Sequence, residues 1–274
     1  MRGTPYALAA RVPLLSNMHY IPEVAPLLPL RDYEIKVSFI LPPMLDDIRA
    51  RHGGSFNHYA AATAYADGGA NPVSVSFSFP DSRANTNYTY VLGQALRDAG
   101  FNPDTGGYIV LENRTEATFP LPEVLRTIGH WVAFMNDRTY VVTPSNVQFN
   151  SARLDYGKAS PALLLDYFGL VMASNVMDTH VVIINPYVGA VEGEAAFFDG
   201  EGRELGTKFS IPPFSTHRIA LGDIAAARGH ASFRGNARIT ANHRVIPFFF
   251  FWNRAHRLYY SADHTIAWVN RSAV

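Results

Sequence analysis

The 274-residue chain has no cysteine, so disulfides, iron–sulfur clusters, thiolate zinc sites and cysteine nucleophiles are all excluded. Charge is also scarce. Asp, Glu, Lys and Arg form 17% of the residues against the usual ~25%, and the two signs balance at 23 each. Without net charge there is no global field to draw the chain to phosphate backbones or acidic membranes, so nucleic acid is set aside as a partner. Long apolar runs are missing too. The most apolar stretches, Pro161–Ala173 and Val245–Trp252, fall short of the ~20 residues that span a bilayer, so no membrane span is expected. Pro5, Arg11 and Pro13 interrupt any secretory-signal pattern in the chain as it stands, while a signal removed earlier would leave no trace. The compartment stays open.

Apolar residues are plentiful, at 48%, and aromatics reach 13%. A chain of this length buries roughly 73% of its unfolded surface, enough for one large core or two smaller ones. With so little charge, much of the remaining surface is expected to be covered, by a partner or by the chain itself.

Strand periodicity is the strongest local signal. Val73, Val75, Phe77 and Phe79 alternate with Ser74, Ser76 and Ser78, and Tyr33–Leu41 alternates in the same way, which is the period-2 pattern of strands with one buried side. Similar short runs occur at Tyr108–Leu111, Trp131–Met135, Thr139–Val142, His180–Ile184, Thr207–Ile211, Thr216–Leu221, Ala237–Thr240, Val245–Trp252, His256–Tyr260 and His264–Val269. Gly, Pro, Asn and Asp turns separate them, which favours sandwiches over alternating βα units. Helix is minor. Val91–Ala99, stopped by Gly100, reads as one short helix, and Ser160-Pro161 reads as the start of a buried connecting helix, with a strand pair broken at Gly169 as the competing reading.

The expected fold class is therefore mainly β: two tandem antiparallel β-sandwich modules, immunoglobulin-like or jelly-roll-like, with a few short helices. Residues 1–30 form an extended Pro-rich arm, 31–155 the first module, 156–175 the connecting helix or linker, and 176–274 the second module. An internal duplication is suggested by a slide of 100 positions, which lays Ala117–Phe149 on His217–Phe249 with six identities, among them Gly129 with Gly229 and Asn136 with Asn236.

Ten histidines are the main chemical resource. His217, His243, His256 and His264 each open a strand on its apolar face, and converging imidazoles, with Asp263 adding a carboxylate, would suit a transition metal such as Zn or Fe. Their spacing matches no compact ligand signature, and alternating strand directions work against convergence. Trp252, Arg254, Arg257, Tyr259 and Trp268 could make an aromatic and guanidinium platform for a peptide or a sugar. Asp199-Gly200-Glu201-Gly202 lacks the spaced oxygens of a calcium loop, and no G-x-S-x-G elbow is present. The leading expectation is a non-catalytic binding or assembly protein with a protein partner or self-association and no cofactor. A histidine-ligated metal enzyme is the second reading, and a carbohydrate-binding or adhesion module the third.

Overall fold

A computed structural model describes residues 23–41, 43–68, 71–118, 131–138, 140–144, 165–186, 189–243, 245–264 and 266–269. It is mainly β, built from antiparallel sheets, with three short helices among the described residues. Contacts divide the chain into two units near Arg153 and Leu154, with Asp67–Gly69 and Asp137–Thr143 grouped with the second half.

In the first unit, β1 (Glu23–Leu27), β6 (Gly107–Ala117), β3 (Phe56–Ala66) and β4 (Val73–Phe79) form one sheet in that order. The second sheet runs β5 (Asn87–Val91), β2 (Glu34–Ile40), β7 (Trp131–Met135) and β8 (Tyr140–Pro144), the last being the strand whose residues up to Thr143 contacts group with the second half. The two sheets meet through aromatic rings: Phe77 stacks on Tyr90 at 4.0 Å, and Phe39 meets Phe79 edge-on at 5.1 Å. The alternation of β2 sets this packing, since Ile35, Val37 and Phe39 are fully buried while the residues between them are partly exposed.

The segment from residue 23 departs from the expected arm, because Glu23–Leu27 is a strand paired to β6 with Pro26 opposite Tyr108. An edge strand tolerates proline because one row of its N–H groups has no ladder to serve. The rest of the Pro-rich arm, residues 1–22, lies outside the described residues. Met44–His52 forms helix α1, with Asp46 and Asp47 in its first turn and Arg49, Arg51 and His52 in its last, each sign at the favourable end of the helix dipole.

In the second unit, β12 (Glu204–Ile211), β11 (Val191–Asp199), β14 (Phe233–Ala241), β9 (Leu165–Ala173) and β17 (Ile266–Val269) form a five-stranded sheet. Facing it is a sheet of β13 (Ser215–Ala220), β10 (Met177–Asn185), β15 (Ile246–Asn253) and β16 (Leu258–His264). Leu165–Ala173 corrects the expected connecting helix. Its run is apolar on both parities, so it can be buried as a strand inside a sheet as well as it could as a helix. Helices α2 (Leu92–Asp98) and α3 (Leu221–Ala227) follow β5 and β13.

The two units share one connection pattern. β4-β3-β6-β1 matches β12-β11-β14-β9, and β5-β2-β7-β8 matches β13-β10-β15-β16, with a short helix after the fifth and thirteenth strands. The 100-residue slide does not align these elements, since it lays the end of β6 on β13. A shift of 129 aligns β5 and α2 with β13 and α3, so that Leu92-Gly93 and Gly100 fall on Leu221-Gly222 and Gly229. Gly107 and Gly235, 128 positions apart, also occupy matching places, opposite the last residues of β3 and β11. A Cβ on either would overlap the carbonyl oxygen of the strand beside it, that of Tyr65 in one unit and of Phe198 in the other.

Candidate functional site

Two places in the second unit gather chemistry. The first is a polar cluster centred on Asp178 of β10, whose side chain is 4% exposed. Its Oδ1 accepts the Gly222 backbone N–H at 2.7 Å and its Oδ2 accepts from Arg254 Nη2 at 2.9 Å. His180, two residues on and therefore on the same side of the strand, places Nε2 3.7 Å from Asp178 Oδ2 and Nδ1 2.8 Å from the Tyr259 hydroxyl. Arg218 Nη1 donates to that hydroxyl at 3.3 Å. This arrangement fits the imidazole tautomer with its hydrogen on Nε2, toward Asp178. Trp252 stacks on the His180 ring at 5.5 Å, and Tyr259 meets Trp252 edge-on at 4.7 Å.

The first unit supplies an internal comparison for this cluster. Lys36 pairs with Val91, and His180 pairs with Ala220, each partner standing just before the Leu-Gly that opens the short helix. Glu34 and Asp178 therefore hold the same position. Glu34 takes a charge-assisted hydrogen bond from Arg97 at 2.8 Å, as Asp178 does from Arg254, so a carboxylate held by a guanidinium beside the helix start belongs to the fold. Both oxygens of Asp178 and both ring nitrogens of His180 face protein groups. The cluster ties β10, β13, β15, β16 and α3 together.

Three of the five platform residues thus come together, and the two residues that organise them, Asp178 and His180, were not among those expected. Arg257 sits exposed in the β15–β16 turn with φ 54°. Trp268 belongs to β17 of the other sheet, paired with Asp166, and its side chain lies outside the described residues.

The histidines are spread over the unit. His217 lies on β13 opposite Ile183, stacked on Phe209 at 5.9 Å, and burial holds its pKa below the usual histidine value. His243 follows β14. His256 is exposed in the β15–β16 turn, where its backbone N–H donates to Asn253 Oδ1 at 3.0 Å, and His264 ends β16 opposite Phe248, its side chain outside the described residues. His256 and His264 stand at opposite ends of one strand. Among the described residues, no group of three or more His, Asp or Glu side chains could hold a metal ion.

The second place is the outer side of the five-stranded sheet. Register puts Ala196, Arg238 and Phe168 in one row across β11, β14 and β9, and Phe198, Asn236 and Leu170 in the next. Leu170 is 67% exposed, the largest exposure of any big apolar side chain among the described residues. Phe168, Met172 and Phe198 around it are half-buried, and the Arg238 guanidinium lies over the Phe198 ring at 5.6 Å. Toward the other end of the sheet the face turns polar, with Glu192, Glu194, Lys208, Thr240 and Asn242 lining an open depression of about 350 Å³.

No protein-family model matches the chain, and no curated protein matches it. Among solved structures, 90% of the chain aligns with 26% of a calcium-binding mutant of Bacteroides uniformis beta-glucuronidase 2, at 10% identity and a TM-score of 0.19. Bacteroides uniformis beta-glucuronidase aligns over 92% of the chain and 26% of its own length, at the same identity and TM-score. The chain spans about a quarter of these proteins, and agreement at this level carries no argument about shared activity.

Proposed function

We propose that this chain is a binding or assembly protein that acts through protein–protein contacts, with the outer side of the five-stranded sheet as its docking surface. The observation that supports this reading is the placement of Leu170. A leucine 67% exposed in the middle of a strand, ringed by half-buried Phe168, Met172 and Phe198 and a guanidinium, has the apolar centre and polar border of a contact patch. Strand side chains also stand on a rigid lattice, so a partner gains contact without ordering a loop. The aromatic cluster at Trp252 is a weaker candidate, because Tyr259 is 3% exposed and its hydroxyl is already engaged.

The test is site-specific photo-cross-linking in the producing cells, with benzoylphenylalanine placed at position 170 and, as a control, at exposed Ser76 of the first unit. Protein adducts at 170 well above those at 76 are expected. Equal or absent adducts at 170 would remove the docking reading.

A further inference from the structure

On the outer side of the five-stranded sheet, the charges nearest Leu170 are two arginines. Register pairs Leu170 with Asn236 of β14, and the rows on either side of that pair hold Arg234 opposite Met172 and Arg238 opposite Phe168. Both arginines are exposed. Side chains on one side of a strand recur every second residue, each residue rising ~3.4 Å, so each arginine stands about 7 Å along the sheet from the row of the leucine.

Carboxylates stand farther off. Glu194 and Asp166 lie two rows from Leu170, both past Arg238, and Glu204 sits opposite Phe198 on the edge strand β12. Arg238, whose guanidinium lies over the Phe198 ring, therefore has acids on its far side. Arg234 has none. On its row the β9 flank carries Met172, and β11 has already ended at Asp199, opposite Gly235, with that carboxylate buried against Arg203. No ion pair of Arg234 is found among the described residues. A carboxylate supplied by a partner would complete a charge-assisted pair there, whereas a second copy of this patch would offer only more guanidinium.

We infer that the docking surface takes an acidic segment of a different protein, which lays an apolar side chain against Leu170 and, about 7 Å from it, an Asp or Glu against Arg234. In an extended partner chain that distance is a step of two residues, the same step that separates the rows of the sheet. The inference rests on the docking reading above and names the chemistry of its partner.

Position 170 again carries benzoylphenylalanine in the producing cells, and the cross-linked peptides are sequenced by mass spectrometry. The partner residue that is captured should have Asp or Glu within two positions of it, a result that depends on no further substitution. Arg234→Glu should lower the adduct yield about fivefold or more, and Arg234→Lys, which keeps the charge, should retain most of it. Lys208→Glu makes the same change in net charge on β12 and should leave the yield as it was. Circular dichroism of the purified variants should match the wild type, since Arg234 and Lys208 are exposed. A yield indifferent to Arg234→Glu, an equal loss in Lys208→Glu, captured sites without acidic neighbours, or adducts joining two copies of this chain would each overturn the acidic partner and leave the docking reading standing. If position 170 gives no adducts at all, both fall.

Discussion

At the scale of single residues, the second unit uses polar groups in two contrasting ways. Asp178 is buried and fully engaged, so its charge is held by Gly222 and Arg254 where water cannot compete. His217 is half-buried and stacked on Phe209, and burial lowers its pKa from the ordinary 6.5. The sign of its effect follows. The folded chain keeps this imidazole neutral at a pH where the unfolded chain has begun to protonate it, so protons favour unfolding through this group. Its contribution to stability is intact above pH 6.5 and declines between that value and the lower folded one. His217→Gln should therefore flatten the acid side of the stability curve. Denaturant midpoints measured at pH 7.5 and 5.5 should fall further for the wild type than for the variant, and equal falls would show that the imidazole takes up its proton alike in the folded and unfolded chain.

At the scale of elements, the contact between β9 and β15 decides how closely the two sheets of the second unit approach. A Cβ on Gly169 would overlap the Phe249 ring, which itself is 1% exposed, so the glycine is required by the aromatic above it. Gly169→Ala should cost about 2–3 kcal/mol through overpacking, and Phe249→Leu a similar amount through the cavity it leaves. Because the two changes share one space, the double variant should be less destabilised than their sum by roughly 1 kcal/mol, read from urea unfolding as a double-mutant cycle. Strict additivity would mean that the ring moves aside freely.

This pair also shows where the sequence was readable. Strands with a clean alternation, such as Val73–Phe79 and Trp131–Met135, were found with their ends in place. β3 was missed because its inward residues are Ala60, Ala62 and Ala64, buried between two neighbouring strands where small side chains suffice, and alanine carries no strand signal. β9 reads as helix from the sequence because Tyr167, Gly169 and Val171 face inward while Phe168, Leu170 and Met172 face outward, so neither parity is polar. That same double parity hid the docking face. Of the Asp178 cluster, the aromatic and arginine members were legible as types. Asp178 and His180, some seventy residues earlier, become their partners only through the pairing of β10 with β15.

At the scale of the whole molecule, the shared strand order means that each unit encloses a core between its own pair of sheets. Matching glycines then become matching weak points. Gly107 and Gly235 each lie where a Cβ would strike the adjoining strand's backbone, and Gly107, at φ 148°, also holds a conformation that L side chains rarely adopt. Alanine at either position forces the central ladder of one unit apart, β3 from β6 or β11 from β14. Subglobal opening follows cooperative units, so the damage should stay within the unit that carries it. Hydrogen exchange followed by mass spectrometry should show Gly107→Ala losing protection in β3, β4 and β6 while β11, β12 and β14 keep theirs, and Gly235→Ala showing the reverse. Gly189→Ala, at a position with open space around it, should leave both patterns as in the wild type. Loss of protection spread evenly over both sets of strands, from either variant, would mean that the two cores melt as one despite their separate sheets.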